Sequence, residues 1–185
     1  LLQNDITTDI AEDAFINYLE KLDQVARLDI VGMYEDKDSD KNVLHVIGRT
    51  VAVPHIYFYR RLENTVWTPW EKVELDIEGD HLIPVVWNRH LYLFWAIFTE
   101  KSEQPTQDQR ANNKDPVKYW EVKLAWSKYK HKGWSPKKLC GTPLKVRADE
   151  RVSGQQATMK FAFKTRIIEK TGDSLSLSIE CFGPF

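Results

Sequence analysis

The residues of this chain whose spacing carries chemistry are a set of tryptophans and two acid-rich loops. Residues 67–73 read W-T-P-W-E-K-V and residues 134–139 read W-S-P-K-K-L. An indole near a proline at the start of a strand offers a face on which a sugar ring or a cation stacks. Trp70 and Trp134 are the candidate platforms, with Arg89 and His90 as candidate polar contacts to a glycan or partner. The plainer use of Trp67, Trp70, Trp126 and Trp134 is packing between strands. Loop 76–81, D-I-E-G-D-H, gathers Asp76, Glu78 and Asp80 beside His81. Carboxylates and an imidazole in one loop change charge on acidification, although a solvated glycine turn explains the same residues. Loop 36–40 gives Asp36, Asp38 and Asp40 the first three ligand spacings of an EF-hand. Lys41 stands where that loop needs glycine and Ile47 where it needs glutamate, so no metal site is expected.

Other chemistries lack their residues. The five histidines, at 45, 55, 81, 90 and 131, form no metal-spaced pair. There is no G-x-S-x-G, no P-loop and no glycine-rich dinucleotide turn, so no cofactor is expected. Glycoside hydrolysis needs two carboxylates facing a cleft, or a tyrosine nucleophile with an acidic partner. The spacing here selects no such group, and no catalytic residue is assigned. Cys140 and Cys181 are the only cysteines and are expected to be two thiols.

With 185 residues the chain is long enough for an ordinary domain core. Its formal net charge of −1 gives no long-range field toward nucleic acid or an anionic membrane. No apolar run is long enough to cross a bilayer as a helix. Starting at Leu1-Leu2 without an initiator methionine or a signal-like segment, the chain reads as a piece of a longer polypeptide.

These residues must be positioned by strands. The one helix is expected over 9–27, where Phe15, Tyr18, Leu19, Leu22, Val25 and Ala26 share a face. Asp9 and Glu12 suit its first turn and Arg27 its last. Strands are expected at 28–34, 43–50, 55–61, 70–77, 82–87, 90–99, 118–128, 136–139, 158–169 and 174–182, with Asn88-Arg89 as a two-residue hairpin turn. Residues 1–30 thus form a helical lead-in and residues 31–185 a β-rich domain. A repeat links the strands. Leu44–Ile47 falls on Leu91–Phe94 at an offset of 47, while Tyr59 falls on Trp126 and Trp67 on Trp134 at 67. The 20-residue difference is expected in one polar loop, Thr99 to Val117. A third, partial unit starts near Thr158. The expected class is mainly β: antiparallel four-stranded blade-like meanders, a partial β-propeller preceded by one helix. A β-sandwich is the rival.

Three segments add a resemblance. D-A-F-I-N-Y-L-E-K-L-D-Q-V-A-R-L-D-I at 13–30, V-W-T-P-W-E-K-V-E-L-D-I-E-G-D-H-L-I-P-V-V-W-N-R-H-L-Y-L-F-W at 66–95 and Y-W-E-V-K-L-A-W-S-K-Y-K-H-K-G-W-S-P-K-K-L at 119–139 resemble the neuraminidase-like domain of the A subunit of bacterial Tc (toxin complex) insecticidal toxins. The resemblance implies a sialidase-like fold inside a very large, secreted pore-forming subunit. It implies a homopentamer, docking of a B–C cocoon, host-cell association through a surface receptor or glycan, and a shell that opens in response to pH. It does not imply sialidase activity. A sialidase Asp-box would carry Asp where this chain has Tyr129 and Gly where it has His131, and no arginine triad is assignable among Arg49, Arg60, Arg61 and Arg89. The expected function is a non-enzymatic shell domain; the alternative is a glycan-binding module.

Overall fold

The computed structural model describes residues 8–37, 42–79, 81–103, 118–131, 133–147, 162–168 and 176–182. The chain divides into two compact units, Leu1–Val73 and Glu74–Phe185. In the first, helix α1 (Thr8–Ala26) precedes strands β1 (Leu28–Asp36), β2 (Val43–Thr50), β3 (Tyr57–Glu63), β4 (Val66–Trp67) and β5 (Glu71–Lys72). The second holds β6 (Leu82–Trp87), β7 (His90–Ser102), β8 (Lys118–Lys130), β9 (Gly133–Trp134), β10 (Lys138–Leu139), β11 (Leu144–Arg147), β12 (Ala162–Ile168) and β13 (Ser176–Phe182).

Each unit is an antiparallel meander, β1-β2-β3-β4 with β5 also on β3, and β6-β7-β8-β10 with β9 and β11 also on β8. The repeat holds down to single hydrogen bonds. Leu62↔Trp67 and Phe58↔Lys72 in the first unit become Tyr129↔Trp134 and Ala125↔Leu139 in the second. Val73 donates its N–H to the Tyr57 carbonyl and Cys140 donates to that of Leu124, both at the same spacing of 67. The offset of 47 is also kept, since Arg49↔Tyr57 corresponds to Ala96↔Leu124.

Several sequence expectations change in detail. The fourth strand of each blade is broken at Pro69 and Pro136 into two short pieces, because proline cannot donate to the ladder. Within 70–77 the strand is therefore confined to Glu71–Lys72, and within 136–139 to Lys138–Leu139. The third strand starts two residues later than expected, at Tyr57. The 20 extra residues do not lie in one loop. The second hairpin continues from Ile97↔Lys123 to Ser102↔Lys118, so part of the insertion is ladder. Strand β11, unforeseen in the sequence, pairs with the first half of β8, from Leu144↔Val122 to Arg147↔Tyr119. A third, partial unit is expected from Thr158; residues 158–161 lie outside the described ones, and the described residues pair as two antiparallel strands, β12 with β13. The proposed domain boundary at residue 30 falls within β1.

Alternation sets the cores. Val46, Ile47, Tyr57, Phe58 and Tyr59 are buried in the first sheet, and Leu82, Val85, Leu91, Leu93, Trp95 and Ala125 in the second. Side chains on both faces of a sheet are buried, as in a strand that must be covered on two sides. Asn88-Arg89 is the expected tight turn, with φ of 45° and 60°, and Asn64-Thr65 is its counterpart before β4. Among its described side chains the helix buries nothing comparable: Phe15, Tyr18, Leu19 and Leu22 are all exposed. It ends at Ala26 with no basic residue in its last turn, so Arg27 lies just beyond it.

Candidate functional site

In the first sheet, consecutive residues of β3 face opposite ways and do different work. Arg60 lies beside Val46, its partner on β2. Its guanidinium carbon sits 4.1 Å from the centroid of Trp67 and 4.3 Å from that of Trp70. Its Nε is buried with no hydrogen-bond partner, and the two indole faces take the place of an oxygen. Trp70 reaches this position because β2 has glycine beneath it. A Cβ on Gly48 would stand 3.3 Å from Trp70 Cη2 and 3.1 Å from Leu28 Cβ. Trp67, the other indole against the guanidinium, is the more exposed of the two. The candidate platform Trp70 is thus the more covered of the pair.

The other face of β3 carries a polar seam. Tyr59 is 2% exposed, and its hydroxyl lies 2.9 Å from Nδ1 of buried His45, the two rings stacked at 6.0 Å. Burial lowers the His45 pKa to about 4, against the opposing pull of Asp36. Burial likewise raises Tyr59 to about 12. Arg61, paired across the ladder with His45, sits 3.2 Å from Glu63.

The second unit holds the acidic loop. Lys137 Nζ lies 2.6 Å from Asp76 Oδ2, 3.3 Å from the Asp76 carbonyl and 3.9 Å from Glu78 Oε1. This lysine, in the W-S-P-K-K segment, is the loop partner that sequence reasoning missed. His81 is half-buried; Asp80 lies outside the described residues. A separate ion-pair cluster belongs to the extended hairpin, where Glu121 is buried between Lys101 and Lys123, each 3.1 Å away. Hydrogen bonds from Lys101 and then Lys123 hold its carboxyl below the usual range.

Of the four glycan candidates, Trp70 belongs to the first unit and the other three to the second. Arg89 and His90 are exposed at the β6–β7 turn, where the His90 ring lies 2.6 Å from the Asn88 carbonyl. Trp134 is half-buried edge-on to Tyr129, 5.2 Å away. By strand alternation Trp134 shares the face of Ser127, and His90 shares the opposite face with Tyr92. On that second face a continuous run links Trp87, Tyr92, Phe94 and Trp126, with Lys128 over Tyr92 and Lys138 over Trp126. No group of metal-ligating side chains occurs among the described residues.

Comparison with known proteins follows the same lines. A family model described as a neuraminidase-like domain matches residues 28–183. Toxin subunit YenA2 of Yersinia entomophaga is 26% identical over 119 residues, which covers 56% of this chain and 9% of that protein. Among solved structures, Morganella morganii TcdA4 superposes with a TM-score of 0.62 at 20% identity, over 98% of this chain and 8% of that one. Yersinia pseudotuberculosis TcaA-TcaB gives 0.52 at 14% identity, over 95% and 9%. The chain therefore spans less than a tenth of each of these relatives.

Proposed function

This chain belongs to the neuraminidase-like domain family, in the form carried by Tc toxin A subunits, and from that premise we propose that it is a non-enzymatic domain of the toxin's outer shell. The observation that carries the proposal is how the tyrosine and arginines of β3 are engaged. Tyr59 is buried, hydrogen-bonded to His45 and pushed up to about 12, the wrong direction for a nucleophile. Arg60 and Arg61 project to opposite faces of one strand, one stacked between indoles and one paired with Glu63, so they cannot clamp one carboxylate together. These side chains serve packing. Incubating the protein with a fluorogenic sialoside is the test: no turnover is expected, and release of the fluorophore at a rate proportional to protein would refute the proposal.

Within a secreted parent A subunit, the domain contributes to the homopentameric assembly that receives a B–C cocoon, to host-cell association and to shell opening at altered pH. Support for the pH role is the clasp of Lys137 on Asp76 and Glu78, in the loop that also carries Asp80 and His81. Reversing Asp76 and Glu78 to lysine turns this attraction into repulsion. The expected result is a shifted opening pH of the assembled subunit, followed by electron microscopy; an unchanged opening pH removes the loop from the mechanism. A glycan array with the isolated chain addresses the receptor reading based on Trp70, Trp134, Arg89 and His90, and no binding is expected.

A further inference from the structure

Among the described residues, the apolar stripe of α1 is left exposed. Phe15, Tyr18, Leu19 and Leu22 are 45–61% exposed, at the i, i+3, i+4 spacing of a helix face built to be covered. Helix α1 also lies outside the family match, which starts at residue 28. Yet the likeness to the Morganella subunit covers 98% of this chain and only 8% of that one. A fold counterpart of the helix therefore sits in a chain with most of its length elsewhere.

Charge selects among the possible occupants. Between residues 12 and 26 the helix carries Glu12, Asp13, Glu20 and Asp23 against Lys21 alone. At 100° per residue, Glu12 and Asp23 border one side of the stripe, with Glu20 and Asp13 behind them, and Lys21 borders the other. An antiparallel pair of α1 helices would set the acidic border against itself. A parallel pair would offer a single lysine to each acidic border. An anionic lipid surface selects basic amphipathic helices and would repel this one. What fits is an apolar stripe bordered by cations.

We propose that α1 docks against a second amphipathic helix, supplied by the parent polypeptide outside residues 1–185, whose apolar stripe is bordered by lysine and arginine on the side facing Glu12 and Asp23. The two helices pack as an αα pair, Phe15, Tyr18, Leu19 and Leu22 forming this chain's half of the seam. The inference rests on the placement of this chain within a long toxin subunit.

A photo-crosslinking side chain in place of Tyr18, carried in the full parent subunit, tests it. The expected product is an intrachain crosslink to a helical segment outside residues 1–185 that carries at least a pair of basic residues along its apolar stripe. A crosslink into residues 28–182, into another copy or into added anionic vesicles overturns the proposal, as does no crosslink. The double variant Glu12→Lys, Asp23→Lys leaves the stripe intact and should lower the crosslink yield roughly threefold or more at low ionic strength. An undiminished yield refutes the basic border. A parent reading frame of ordinary enzyme size defeats the toxin-subunit premise itself, whereas a long frame without the helix crosslink defeats this inference alone.

Discussion

Arg60 shows what a single residue contributes that the sequence leaves hidden. The W-T-P-W spacing marks the indoles, but the cation between them comes from the neighbouring strand, and only the register brings it there. His45 and Tyr59 meet for the same reason: they are 14 positions apart in the chain and diagonal neighbours across the ladder. Lysine at position 60 would keep the charge but lose the flat surface that two indoles contact at once. Arg60→Lys is therefore expected to lower stability by about 1–2 kcal/mol, read as a shifted urea midpoint with unchanged slope. Trp67→Ala in the Arg60→Lys background should then cost less than in the parent, since the shared contact is already weakened. Strict additivity of the two would sink the sandwich as an energetic unit. Lys137 differs, because its partners Asp76 and Glu78 are largely exposed, and pairs of that kind contribute at most about 1 kcal/mol.

At the level of elements, the blades share one device for starting the broken fourth strand. Thr68 Oγ1 accepts a hydrogen bond from the Arg61 N–H at 3.0 Å, and Ser135 Oγ accepts one from the Lys128 N–H at 3.0 Å. Removing either hydroxyl leaves a half-buried amide without that partner. Thr68→Ala and Ser135→Ala should each cost about 1 kcal/mol in chemical denaturation, and a loss in only one of them would mean the blades are not built alike. The β6–β7 turn offers a gain. Asn88 and Arg89 both have positive φ, a conformation that costs an ordinary residue about 1 kcal/mol and glycine almost nothing. Arg89→Gly should raise the melting temperature by several degrees for about 1 kcal/mol, and a fall would show that the arginine makes contacts the turn depends on. Asn-x turns, alternation and apolar periodicity made the strands legible from the sequence. Strand β11 was not, because L-K-V-R is short and acquires its conformation by pairing with the lengthened β8. The helix shows the converse case. Its periodicity is plain in the sequence, while the described residues leave its apolar stripe uncovered.

For the whole molecule, the doubled cassette was the strongest signal. Its two offsets survive as two sets of ladder pairings, so one pattern of residues built one kind of meander twice. What the repeat could not reveal is that its two copies respond to acid through different groups. In the first meander, His45 is buried neutral with a pKa of about 4, against 6.5 when unfolded. Between those values the unfolded chain binds a proton that the folded chain refuses, so stability falls as pH drops from 6.5 toward 4. The full loss is on the order of 3 kcal/mol. The second meander depends on Glu121, whose carboxyl is held below its ordinary value of 4.5 by Lys101 and Lys123. Its contribution is intact above 4.5 and fades only as pH falls through the lowered pKa. Acidification should therefore loosen β2 and β3 before β7 and β8. Hydrogen exchange at pH 7 and pH 5, corrected for intrinsic rates, reads this directly. Protection should drop first at Ile47 and Tyr59, while Trp95 and Ala125 hold. Gln in place of His45 keeps a hydrogen-bonding partner for the tyrosine and cannot titrate, so His45→Gln should flatten the stability profile between pH 6.5 and 4. Should the variant follow the parent curve through that range, the buried imidazole is not the acid-sensitive group of the first sheet.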